Sequence, residues 1–333
     1  MSEKQLSTDE AEVYDRQIRL WGIEAQEKLR AANVLLIGVR SLGSEIAKNI
    51  LLSGINSLTI LDDGVVSQDD VTRNFLLHEK VALGSKIAEQ VLPRAQALNP
   101  LVKIVVDTGS VAAKSGDYFK EFTIVVATKL KFELILKIDG FCREHNVKFI
   151  YGEVAGFFGY SVSDFQDHEY FEDRIQLATG AKRGHEGDKK TKRIKGKLTY
   201  PPLNKVLVLP NTKQDIGSIK KMSRPNKLFV CMLMLLEFRK RFERDPDLEN
   251  KSDEIEELRD IATEIIKLYQ FTKVNVDNLL DLVFGEVSPV CAILGGIMSQ
   301  EVIKAASHKE VTINNIFLFD PVTYSGKELT VGA

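Results

Sequence analysis

Two glycines, Gly38 and Gly43, frame the turn Gly38-Val39-Arg40-Ser41-Leu42-Gly43 between an apolar run and a helical pattern, and Asp62 closes the next apolar run. That arrangement suits nucleotide chemistry: one glycine makes the turn, a second lets backbone approach phosphate, a third packs helix on strand, and the acid holds a ribose hydroxyl. Here the second glycine is Arg40. A side chain of that size blocks close backbone approach, although its charge could itself contact phosphate. Without any ligand, Gly38 and Gly43 would still be needed wherever strand, turn and helix leave no room for a β-carbon, and Asp62 would be a polar strand end. Cys142, Cys231 and Cys291 lie far apart in apolar surroundings with no CxxC pair, so they read as buried, inert thiols. His185, in a polar stretch, reads as a loop residue and not a metal ligand.

The elements that would position this turn alternate in type. Asn33 to Gly38 is a continuous apolar run, the pattern of a parallel strand buried on both faces. A helix to Leu52, a strand ending at Asp62, a helix around Ser85 to Asn99, strands KIVVD and TIVVA, a helix from Phe132 to His145 and the strand VKFIYG follow. This order predicts an α/β fold, a doubly wound Rossmann-like parallel sheet with functional loops at the carboxyl ends of its strands. Ahead of it, Ser7 and Glu10 have capping-box spacing for a helix turning Val13, Tyr14 and Ile18 inward. FGYSVSDF alternates like an antiparallel strand, Ala181 to Lys197 reads as a basic loop, and residues 199 to 208 as a strand. A strongly apolar helix from Lys227 opens a small helical module, with DLENKSDEIEELRD as its solvated face. Ser288 to Ser307 is a buried helix with Pro289 in its first turn, followed by the strand NNIFLFD.

With 333 residues, 44% hydrophobic and 28% charged, the chain has material for one large domain or one domain with an insertion. Its 45 basic and 47 acidic residues nearly cancel, so no global field favours nucleic acid or an anionic membrane, and neither is an expected partner. The polar, acidic N-terminus is unlike a signal peptide, and no apolar run is expected to reach membrane-spanning length.

Three stretches, YDRQIRLWG (Tyr14 to Gly22), VLLIGVRSLGSEIAKNILLSG (Val34 to Gly54) and SPVCAILGGIMSQEVIKA (Ser288 to Ala305), resemble the ubiquitin-activating-type adenylation family. The first is highly specific; the glycine loop alone would be weak. The resemblance covers nearly the whole chain, and the change of pattern along it divides the chain into four parts. These are an N-terminal adenylation part over 1–165, a flexible basic loop region over 166–200, an inserted strand and helical module over 201–285, and a return to the adenylation fold over 286–333. Residue by residue, most of the family's ATP-handling groups are replaced. Arg40 stands for a glycine and Gly64 for an aspartate; Ile87, beside a Lys86 expected to face elsewhere, stands for the phosphate lysine; Leu130 stands for the metal-associated aspartate. In the family's S-N-L-N-R-Q-F stretch, here Asp69 to Phe75, only Arg73 and Phe75 are unchanged. Aliphatic groups can neither hold magnesium nor neutralise a triphosphate. The resemblance therefore implies a degenerate half, with Gly38, Gly43, Asp62 and Arg73 as vestiges and no cofactor of its own.

The family works as paired domains, and in two-chain forms the arginine of the YDRQ stretch reaches the partner's ATP site. That residue is Arg16, which would act in trans; without the resemblance it would read as decoration of a helix face. Arg19, nearly on the same face, would support it or form a local salt bridge. The implied partner is a catalytic subunit that binds ATP and magnesium, adenylates the modifier's C-terminus and takes it as a thioester on its own cysteine. The front of the chain resembles both the SUMO-type and NEDD8-type branches; the modest insertion and the final stretches fit the SUMO type. The basic segment from Lys182 to Lys197 is a candidate nuclear-import signal or a solvated loop, and the SUMO branch implies a nuclear setting. Rival readings are a self-sufficient homodimeric adenylyltransferase, which needs the missing lysine and aspartates, an NAD-dependent oxidoreductase, which leaves YDRQIRLWG unexplained, and a non-catalytic scaffold.

Overall fold

The computed structural model describes residues 8–176, 190–209, 226–271 and 273–332. Its strands are β1 (Asn33–Ile37), β2 (Ser57–Leu61), β3 (Lys103–Asp107), β4 (Ile124–Thr128), β5 (Lys148–Ala155), β6 (Phe158–Asp164), β7 (Asp167–Gln176), β8 (Lys190–Thr199), β9 (Ile316–Asp320) and β10 (Ser325–Leu329). Eight form one sheet in the order β10-β9-β6-β5-β4-β1-β2-β3. The half from β5 to β3 is parallel, and β6, β9 and β10 add antiparallel. Strand order reverses between β1 and β4, so a crevice opens outside their carboxyl ends, where Gly38 and Thr128 lie.

The apolar runs form parallel strands because both faces are covered. Val34 and Leu36 join a core with the helices Ser41–Leu52, Ile87–Leu98 and Ser288–Ser307. Leu35 and Ile37 join a second core with the helices Phe132–Glu144, Lys227–Phe242 and Lys251–Leu268. All four strand residues are at most 3% exposed, each contributing about 1.5–3 kcal/mol of burial. The helices after Lys227 thus share their core with the sheet and do not stand off as a separate module. The acidic helix Lys251–Leu268 is solvated on one side, as expected, while Leu258, Ile261, Ala262 and Ile265 face inward.

Several expectations are corrected. Residues 203–207 form a helix, not a strand: Leu203, Val206 and Leu207 are buried at helical spacing, and the Leu203 N–H donates to Asp139 Oδ2 at 2.9 Å. The supposed loop is a strand from Lys190 onward, because β8 pairs with β7 and sets Lys195 and Lys197 against Glu169 and Asp167. His185, Lys182 and the rest of that segment to residue 189 lie outside the described residues, as does Ser7 of the expected capping box. Val13 is 61% exposed and Ile18 only half-buried; Tyr14 alone of that trio is buried. The helix Ser288–Ser307 is, contrary to expectation, long and apolar enough to cross a membrane, but it is mostly buried against the helix Ser41–Leu52 and the sheet. Pro289 sits in its first turn as expected.

Candidate functional site: a tied cleft and a free arginine

At the crevice, Gly38 has φ +83° and a β-carbon there would lie 2.6 Å from Thr128 Oγ1. One on Gly43 would lie 2.0 Å from the Gly38 carbonyl oxygen, so helix and turn meet only through glycine. Thr128 donates its hydroxyl to the Gly38 carbonyl at 3.1 Å, joining β4 to the turn. These glycines thus have a packing reason independent of any phosphate.

Arg40 is half-buried and ion-paired with Asp70, whose side chain is 6% exposed. Burial opposes the Arg40 charge, but Asp70, with Asp62 and Glu286 further off, outweighs it and raises the guanidinium's pKa. Burial likewise opposes the Asp70 charge, yet Arg40 and Ser67 together hold its carboxyl below the usual range. Asp70 also closes a capping box with Ser67, accepting the Ser67 N–H at 2.9 Å. Asp62 accepts the Val39 N–H and the Gly64 N–H, both at 2.9 Å, one on each oxygen. Ser41 donates to Glu286 at 3.1 Å.

The cavity beside this turn measures about 190 Å³ and is lined by Gly38, Arg40, Asp62, Gly64, Thr128 and Leu130. Ligand sites start near 300 Å³, so it is small for a nucleotide triphosphate. Ile87 is fully buried and Leu130 presents hydrocarbon. Lys86 stands at the N-cap of the helix Ile87–Leu98 and, outside the cavity lining, donates its ammonium to the Asp63 carbonyl at 2.6 Å. A metal-bound triphosphate does not fit these residues: Arg40 bridges the turn, Asp62 is engaged by backbone, and Ile87 and Leu130 offer no ligand.

Arg73 is not with the other vestiges. It pairs with Asp69 at 3.2 Å and lines a neighbouring cavity of about 380 Å³. There Arg239 ties Glu153 to Asp245, so the larger space is edged by charges that already have partners. Cys142, Cys231 and Cys291 are free and buried, and burial pushes all three thiols up, away from the thiolate a nucleophile needs.

Arg16 lies on the helix Asp15–Trp21, held from three sides. The Tyr14 ring packs against Gly54 and its hydroxyl accepts from Asn99 Nδ2 at 2.8 Å; Gln17 donates to the Leu52 carbonyl at 2.8 Å; Trp21 donates to Gln26 at 3.1 Å. That anchoring leaves Arg16 and Leu20 pointing outward, with Val13 and Ile23 exposed nearby in sequence. Among the described residues the Arg16 side chain has no ion-pair or hydrogen-bond partner, whereas Arg19 closes a surface pair with Asp15 at 3.0 Å. Of the expected residues, then, Gly38, Gly43 and Asp62 meet at one cleft, Arg73 sits beside it, and Arg16 stands apart on its own helix. Asp70, Thr128 and Glu286 went unnoticed in the sequence; for Asp70 the signal was present as the Ser67-x-x-Asp70 spacing of a capping box.

A model described as the ThiF family matches residues 14–333. The chain is 36% identical over 335 residues to SUMO-activating enzyme subunit 1 of Xenopus tropicalis, covering 96% of this chain and 95% of that protein. It is 35% identical over 331 residues to the Rattus norvegicus protein of that name (96% and 94%) and 34% over 331 residues to the Homo sapiens one (96% and 95%).

Proposed function

The chain belongs to the ThiF family, and from that membership we propose that it is the non-catalytic half of a two-chain SUMO-activating enzyme. In this reading the partner holds ATP and magnesium, adenylates the C-terminus of SUMO and accepts it as a thioester on its own cysteine. This chain contributes an interface and Arg16.

The observation that carries the reading is the contrast in cations. Arg40 is held inside by Asp70, whereas Arg16 is fixed in place by its helix yet has no counter-charge among the described residues. An arginine so presented is suited to neutralise phosphate charge on a docked partner, and its planar fork makes that chemistry depend on assembly. Exposed Val13, Leu20 and Ile23 supply apolar surface around it that an interface would cover. The buried thiols fit a chain that leaves thioester formation to its partner.

The test is ATP–pyrophosphate exchange in the presence of SUMO. The chain alone is expected to be silent and to become active on adding the catalytic subunit; robust exchange by the lone chain would return the reading to a self-sufficient adenylyltransferase. We also propose a nuclear location, on the basis of the basic residues between Lys182 and Lys197. Replacing them with alanine is expected to shift a fluorescently tagged chain to the cytoplasm, and unchanged nuclear accumulation would remove that segment from the account.

A further inference from the structure

The cleft's carboxylates show what became of the phosphate cradle. In a phosphate-binding turn the outward N–H groups and the helix start face an anion. Here one of those N–H groups and two side-chain donors of the turn have acceptors from the chain itself. The Val39 N–H goes to Asp62, the Ser41 hydroxyl to Glu286, and the Arg40 guanidinium to Asp70. The three acids come from the end of β2, from the helix Gln68–Arg73 and from the residues leading into the helix Ser288–Ser307. Asn74 adds a fourth tie, donating its amide to the Val39 carbonyl at 2.7 Å.

We infer that the cradle has become an internal clasp, in which the chain's own carboxylates take the place of the phosphates and Arg40 is the cation that holds Asp70 among them. This rests on the reading of the chain as the non-catalytic half. It differs from the simpler idea that Arg40 merely blocks a usable site. If Arg40 were only an obstruction, Arg40→Gly, which puts back the residue the family carries, would open the cleft to ATP. In a clasp, the same change leaves Asp70 without its ion-pair partner and removes a positive charge that offsets Asp62 and Glu286. The cleft then repels a triphosphate more strongly than before, and Asp70 becomes a buried carboxylate with no counter-charge. Removing one member of a buried pair costs more than removing both, because the survivor remains charged and desolvated.

The experiment is a set of thermal melts at pH 7 on the full-length chain: wild type, Arg40→Gly, Asp70→Asn, and the two together, each with and without MgATP. Asparagine keeps an oxygen for the Ser67 donors while removing the charge. The clasp predicts that Arg40→Gly lowers Tm by about 5 °C, that adding Asp70→Asn recovers part of the loss, and that Arg40→Gly gains no stabilisation from MgATP. Should Arg40→Gly not fold, Arg40→Met keeps the aliphatic stem and is expected to show the same partial rescue. Arg40→Gly melting with wild type, or rising by several degrees with MgATP, would overturn the clasp and leave the non-catalytic reading intact. A MgATP-dependent rise in the wild-type chain would instead overturn that reading.

Discussion

The glycine-turn cleft and the N-terminal helix each present an arginine, and they treat it in opposite ways. Around Arg40 the chain gathers Asp70, Asp62 and Glu286, so the guanidinium's charge is satisfied where it stands. Around Arg16, among the described residues, it gathers anchors for the helix and no counter-charge: Tyr14 against Gly54, Gln17 on Leu52, Trp21 on Gln26. A cation with partners contributes to holding a fold, whereas one carried outward on an anchored helix without them is available to something else. On the proposed reading, motif loss in one region and motif retention in the other are two sides of one division of labour. The cleft keeps its glycines because β1, β4 and the helix Ser41–Leu52 cannot meet without them, and among the described residues nothing pairs with the arginine of the N-terminal helix.

The comparison can be broken from either side. The largest stability effect is expected for Gly43→Ala, whose β-carbon would overlap the Gly38 carbonyl; a loss of about 3 kcal/mol in denaturant unfolding would confirm that packing alone preserves the motif. A near-neutral result would mean that the turn yields easily and the glycine needs another explanation.

Next comes the pH dependence of the clasp. Arg40 and Ser67 hold the Asp70 carboxyl below its ordinary value, so its contribution is present above the unfolded pKa and is lost as pH falls through the lower folded one. The gap in melting temperature between wild type and Asp70→Asn should therefore be widest near neutrality and close on acidification below about pH 4. A gap independent of pH would remove the charge from the argument.

The smallest effect belongs to Arg19→Ala. Its pair with Asp15 lies on the surface, with side chains 77% and 50% exposed, so Tm should move by no more than about 1 °C. Arg19→Ala should also leave the adenylation rate of the heterodimer within about twofold; a large fall in that rate would extend the working surface of the helix beyond Arg16.

Most of the frame was legible because it rests on local pattern. Continuous apolar runs such as Val34 to Ile37 admit few readings other than a strand covered on both sides, and Gly38 with Gly43 marked the turn. What escaped depends on partners distant in sequence. Leu203, Val206 and Leu207 stand at helical spacing, but five residues are too few to show a period in sequence, and the carboxylate of Asp139 and the sheet beneath fix the helix. The lysines of β8 look like a solvated run until β7 sets acids opposite them. At the cleft, the losses at Arg40, Ile87 and Leu130 could be read by spacing from neighbouring landmarks. The ties from Asp70, Thr128 and Glu286 could not, since each comes from a segment that folding alone brings to the turn.

The most direct test of the division of labour is the rate of SUMO adenylation by the assembled heterodimer, measured as pyrophosphate release well below the melting temperature, with this chain carrying Arg16→Ala or Arg40→Gly. The account predicts that Arg16→Ala slows the step about a hundredfold while the two chains still co-purify, and that Arg40→Gly, although less stable, turns over at the wild-type rate. A slow Arg40→Gly enzyme beside an unimpaired Arg16→Ala one would contradict it.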